Sequence, residues 1–317
     1  MALTYNQITA ITEKKFLSQL ADNIFNSNAV LARLYRPEKL SLKDGGTKIV
    51  APIINTKAGL GGSFDDLDEL NTSRSDNITA AEFDWKQYYE PIRISRKEML
   101  QNNGDAAKLS LIASKMKVAE KSFRDNLGTG MFSDGTGNDS KDITGFQAMI
   151  SSSSTYGGIA VADFAGWIAQ IKQGSTPGTD EALTLARMQQ AYGAASEDND
   201  TPTMITCKQD VYDQLWSLYQ PHQRLISEEM SDLGFENILT FNGVPVIVDS
   251  HMKAGSMYFI NEDYAFLCVH REENMRKETI ERLETSNSML MRVFWMGNLV
   301  CNNRRFQAEL DDISVAS

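Results

Sequence analysis

The sequence predicts an α+β fold. Three observations carry that prediction: a long polar β-ribbon in the first hundred residues, one regular amphipathic helix after it, and a run of short strands and helices ending in a β-rich tail. The chain has 317 residues, 42% of them hydrophobic and 23% charged, enough to bury a core in more than one domain. No Pro-rich or Gly/Ser-rich linker divides it, so one domain is expected to be nested inside another.

Residues 6–34 open with a helical pattern, in which Ile8, Ile11, Phe16, Leu20 and Ile24 recur every three to four positions. A short amphipathic run, Val30 to Tyr35, stops before Pro37, whose missing N–H and ring clash end a helix. Thr47–Ile54 and Tyr88–Ser95 read as the two strands of the ribbon. Pro52 and Pro91 inside them demote both to edge strands or bulged strands. Between them runs a polar excursion from Asn55 to Asp84, with the acids Asp65, Asp66, Asp68 and Glu69. A connection of roughly thirty polar residues is unusual inside a compact domain and points to a segment that lies on another chain.

The strongest helix follows. Asp105 is placed to cap it, and Leu109, Ile112, Met116, Ala119, Phe123 and Leu127 form one apolar stripe. Gly128 reads as its exit, giving a rod of about 22 residues, ~33 Å long. Lys108, Lys115, Lys117, Lys121 and Arg124 occupy its other faces. Beyond a Gly/Asn/Asp/Ser loop, Phe164–Ile171, Leu183–Ala195 and Lys208–Tyr219 read as helices. Thr203–Thr206, Val244–Val248, Met257–Ile260 and Ala265–Val269 read as strands. In the tail, Lys277–Glu284 and Met289–Met296 flank the turn Thr285–Ser288 as a hairpin, and a last strand runs through Arg304–Leu310.

Signals for chemistry are sparse. A net charge of −11 disfavours a dedicated nucleic-acid binder. The three cysteines, Cys207, Cys268 and Cys301, are widely spaced and form no CxxC pair, which fits neither a disulfide framework nor a zinc site and suits a reducing cytoplasm. His222, His251 and His270 make no metal-ligand spacing; His251 near Asp249 and His270 near Glu272 read as turn histidines. Gly128–Gly130 and Gly135–Gly137 lack the context of a phosphate loop. The acids at 65–69 lack the alternation of a calcium loop. No catalytic, cofactor or metal residues are expected. The amino terminus does not read as a signal peptide, and no apolar run is long enough to span a membrane.

The order of parts, together with Phe241-Asn-Gly-Val-Pro-Val-Ile-Val-Asp249, Gly255–Asn261 and Tyr264–Leu267, resembles the Hong Kong 97-type major capsid proteins of tailed bacteriophages. That resemblance implies an N-terminal arm (1–45), an extended-loop β-ribbon (46–97), a peripheral domain with a spine helix (98–140 and 270–317) and an inserted axial domain (141–269). It implies a virion protein, assembled in the host cytoplasm as hexamers and pentamers around double-stranded DNA held by non-specific contact. Portal, scaffolding and decoration proteins are the implied partners. Lys57, Asp65, Asp66, Asp68 and Glu69 are the expected inter-subunit contacts of the loop, and Lys115, Lys121 and Arg124 the basic face of the spine. Some members crosslink a loop lysine to an asparagine; Lys57 lies in the right ribbon, but no partner asparagine is assignable, so a non-covalent shell is expected. An encapsulin-like nanocompartment shares the fold. A cytosolic α/β enzyme with its site in residues 160–270 is the competing reading of another class.

Overall fold

The computed structural model describes residues 28–54, 63–66, 78–101, 105–164, 166–220, 239–278, 281–282 and 287–315. Helix α1 (Ala29–Leu34) is capped by Asn28, whose side chain accepts from the N–H groups of Val30 and Leu31, and it stops before Pro37 as expected. The expected helix before it lies outside the described residues.

The first sheet is built on β13 (Ser288–Cys301). One flank of β13 pairs along ten residues with β4 (Lys86–Ser95). The other receives β10 (Ala265–His270), β11 (Arg276–Lys277) and β12 (Glu281–Arg282), and β1 (Leu40–Lys43) adds parallel to β10. The second sheet runs β5 (Gln170–Lys172), β14 (Ala308–Leu310), β9 (Met257–Ile260), β6 (Met204–Cys207), β8 (Val244–Val248) and β7 (Thr240–Phe241). One of its faces, with Ile205, Val246, Phe259 and Leu310, lies under helices α4 (Leu185–Ala195) and α5 (Gln209–Tyr219). Its other face, with Met204, Tyr258 and Ile260, joins the main core. Burial on both faces explains why β9 reads as an unbroken apolar run and β6 as one broken only by Thr206.

Four expectations are corrected. Strand β2 (Ile49–Ile54) pairs with β3 (Ile78–Phe83), and not with the strand over Tyr88–Ser95. That strand is β4. Opposite β13 it gains cross-strand aromatic neighbours, Tyr88 beside Trp295 and Tyr89 beside Phe294, which a two-stranded ribbon does not offer. Both proline-bearing strands are edges, as Pro52 and Pro91 require.

Second, the long helix, α3 (Asp105–Met131, with α2 at Arg96–Gln101 before it), has 27 residues and runs through Gly128 and Gly130. Both glycines are places of close approach. A Cβ at Gly128 would sit 2.6 Å from the His251 ring, and one at Gly130 2.6 Å from the Tyr88 hydroxyl. The predicted stripe is buried at Ile112, Met116, Ala119, Phe123 and Leu127 and packs on β4. Residues 102–104, where a cap would begin, lie outside the described residues.

Third, Phe164–Ile171 is no helix: Trp167 to Ala169 run as irregular chain into β5. Arg304 accounts for this, because its guanidinium takes the Trp167 carbonyl (3.1 Å) that a helix would have used. Fourth, Arg304–Phe306 is a single 3-10 turn, and only Ala308–Leu310 is strand. This last strand enters the second sheet, whereas Ser288–Cys301 of the same tail belongs to the first.

Candidate assembly surface

The ribbon of β2 and β3 has two unlike faces. Ile49, Ala51, Ile53, Ala81 and Phe83 point inward, where Phe83 meets the Tyr156 ring edge-on at 4.9 Å. Gly157, at φ +59°, lies flat beneath; a Cβ there would stand 2.7 Å from that of Ala81. The amide of Glu82 donates to the Gly157 carbonyl (2.9 Å), and Lys48 pairs with Glu82 at 2.8 Å. The opposite face carries Val50, Ile54 and Ile78, the last two directly across from each other and each 75% exposed. Alternating apolar residues normally bury one face only. Here the second face is largely apolar and exposed, with Glu82 opposite Val50.

Of the loop acids, Asp65 and Asp66 are exposed, with the Asp66 amide donating to the Asp65 carboxylate (2.9 Å). Lys57, Asp68 and Glu69 lie outside the described residues. On the long helix, Lys121 is exposed and Arg124 half-buried. Lys115 is committed within its own chain, 3.0 Å from Glu98. Hydrogen bonds from the Ser95 amide and from Lys115 hold the Glu98 carboxyl below its ordinary pKa.

Three polar constellations join segments distant in sequence; of their members, only the nearness of His251 to Asp249 is visible in the sequence, where His251 reads as a turn histidine. Arg33 of α1 lays its guanidinium on the buried Glu262 (Nε–Oε1 2.9 Å) and on the Thr203 carbonyl, and Thr203 Oγ1 also donates to Glu262. Arg304 is wholly buried, and among the described residues no carboxylate pairs with it. It donates to the carbonyls of Ala148, Met149, Ser151, Ser154 and Trp167, and its cation lies over the Tyr156 ring at 5.1 Å. His251 is held between Asp249 (Nδ1–Oδ1 2.8 Å) and Asp125 of the long helix (Nε2–Oδ1 3.0 Å).

At the foot of the second sheet, Lys253 lies 2.7 Å from Asp311 and 3.5 Å from Glu309. Burial raises the Glu309 carboxyl to about 7, against the pull of Lys253. Burial likewise raises the Cys207 and Cys301 thiols to about 12, which marks them as packing residues. Among the described residues, no group of three or more His, Cys, Asp or Glu is placed to hold a metal, and no helix is long and apolar enough to cross a membrane.

The model of the SU10 major capsid protein family matches residues 92–292, more than half of the chain. Among solved structures, the chain is similar to the capsid subunit of cyanophage A-1(L), with a TM-score of 0.66 and 17% identity over 90% of this chain and 93% of that one. It is also similar to a chain of Gordonia phage Cozz (TM-score 0.56, 13% identity, 91% and 87% covered). The holo-SrpI encapsulin complex of Synechococcus elongatus PCC 7942 gives a TM-score of 0.57 at 10% identity, covering 91% and 88%. No curated protein sequence matches. At such identities the structural likeness is one of fold.

Proposed function

The chain belongs to the SU10 major capsid protein family and is a structural subunit of an icosahedral phage head, and on that premise we propose that its copies form hexamers and pentamers through the β2–β3 ribbon. The observation that carries this is the ribbon's outer row, Val50, Ile54 and Ile78, apolar and exposed on an isolated chain. Burying such a row against a second copy contributes roughly 25 cal/mol per Å² of apolar surface removed from water. Lys57, Asp65, Asp66, Asp68 and Glu69 extend the same contact, with Lys121 and Arg124 as basic counterparts on a neighbour. Lys115, already paired with Glu98, is the weaker candidate. Each exposed pair adds only about 0.2–1 kcal/mol, so repetition through the shell supplies the strength.

In this reading the first sheet with α3 is the peripheral domain and the second sheet with α4 and α5 the axial one, β14 included with the latter. The shell encloses double-stranded DNA by non-specific contact and is assembled in the host cytoplasm with portal, scaffolding and decoration proteins. The subunits are joined without covalent crosslinks, and the role is structural without catalysis, as the scattered histidines and the inert buried thiols support. The encapsulin reading rests on likeness of fold alone, whereas the family match favours the phage head.

Negative-stain microscopy of the purified protein tests the proposal, with closed shells or capsomer rings expected and dispersed monomers counting against it. Replacing Asp65, Asp66, Asp68 and Glu69 together with Ala is expected to impair assembly while leaving the monomer folded. An unchanged particle yield would remove those acids from the contact. Boiled particles should run as single chains on a denaturing gel.

A further inference from the structure

The loop after β8 sends His251 across to the long helix at Gly128, where that helix has no side chain to obstruct it. Gly128 lies under the imidazole so closely that any Cβ would collide with the ring, so glycine there makes a seat for this histidine. Both ring nitrogens are then used. Nδ1 faces Asp249, a buried carboxylate on the ring's own loop that also accepts from the His251 amide at 2.9 Å. Nε2 faces Asp125, a carboxylate of α3 that is 74% exposed. Among the described residues, these two acids are the charged groups facing the ring, one from each element packed against it.

We propose that His251 is a proton-operated latch that ties the long helix to the second sheet when both ring nitrogens carry hydrogen and releases the helix when one is lost. The two acceptors dictate this. A carboxylate only accepts, so two carboxylates facing one imidazole are both satisfied only by the imidazolium. A neutral ring has one N–H and turns a lone pair toward the other acid.

The Asp249 carboxylate is buried and cannot turn to water, so the remaining N–H stays with it. Asp125 is exposed and swings into solvent at little cost. The contact broken by deprotonation is therefore the one between modules. Burial pulls the His251 pKa down, but hydrogen bonds and charge from Asp125 and Asp249 outweigh it and leave the pKa above the ordinary 6.5. For a group whose folded pKa is raised, the added stability is complete below the unfolded value and disappears as pH rises through the folded one. The latch is closed in acid and opens as pH rises through this raised pKa.

Hydrogen exchange read by mass spectrometry on the full-length protein at pH 6 and pH 9, corrected for intrinsic rates, tests the proposal. In the wild type, amides of Asp125–Met131 should lose protection at least threefold between the two pH values. Asp125→Asn should abolish that dependence and stay protected at both, because an amide side chain accepts from the charged ring and donates to the neutral one. Gly128→Ala, which evicts the ring, should lower protection at both. Protection that does not change with pH in the wild type, or that changes equally in Asp125→Asn, overturns the proposal.

Discussion

Arg304 and His251 both stitch distant segments together, by opposite strategies. The guanidinium of Arg304 is sealed in the core and holds five carbonyls between residues 148 and 167, with no counter-ion among the described residues. Arginine stays protonated at every pH a protein survives, so this join is unconditional. His251 is partly open to water, bridges two carboxylates, and depends on a proton that can leave. The fold thus uses a permanent cation where a loop must never move and a titratable one where two modules meet.

The largest effect that would break this comparison comes from Arg304. Arg304→Met removes a charged donor from five carbonyls and is expected to cost about 3–5 kcal/mol by chemical denaturation. Arg304→Lys should recover little, since one ammonium cannot span the same acceptors. A cost under about 1 kcal/mol would mean that the loop holds itself.

Next comes Arg33→Ala, which leaves Glu262 buried and without its cation; about 2–3 kcal/mol should be lost, together with protection of Ala29–Leu34 from exchange. Glu309→Gln should act in the other direction. Its raised pKa means that the folded state holds the neutral form better, so the stability tied to Glu309 is present below about 4.5 and lost as pH rises through about 7. The amide should therefore raise stability at pH 8 by about 1–3 kcal/mol and change it little at pH 4, read as paired melting curves. The smallest effect is expected for Lys115→Met, about 0.2–1 kcal/mol, because the pair with Glu98 is half open to solvent.

What could be read in advance follows the same division. The strands over Val244–Val248, Met257–Ile260 and Ala265–His270 announce themselves, because burial on both faces demands continuous apolar runs. The α3 stripe is legible because period 3.6 is a property of the residues themselves. Strand β3 was hidden: Ala80 and Ala81 have weak strand preference, and its pairing with β2 and the packing of Ala81 and Phe83 on Gly157 make it one. The apolar spacing of Phe164, Trp167, Ile168 and Ile171 imitates a helix, and the residue that prevents it lies well over a hundred positions away. Arg304 has no sequence signature, since its partners are backbone carbonyls that every residue owns. The glycines of α3 looked like stops because the ring that needs Gly128 belongs to another module.

On the assembly surface, the acids of the loop and the basic residues of the helix were visible, but the apolar outer row of the ribbon was not. It takes the pairing of Ile54 with Ile78 to show that both stand on the same uncovered side.

The position of β14 has a consequence for how the protein comes into being. This strand fills the slot between β5 and β9, pairing Ala308 with Gln170 on one side and with Phe259 on the other. A ribosome delivers β5 and β9 well before it delivers β14, so a nascent chain carries two unpaired strand edges facing an empty slot. The sheet closes only when 308–310 emerges. Until then the growing subunit is an unfinished surface that neighbouring nascent chains could pair with wrongly, and the interval belongs to whatever chaperone shields it.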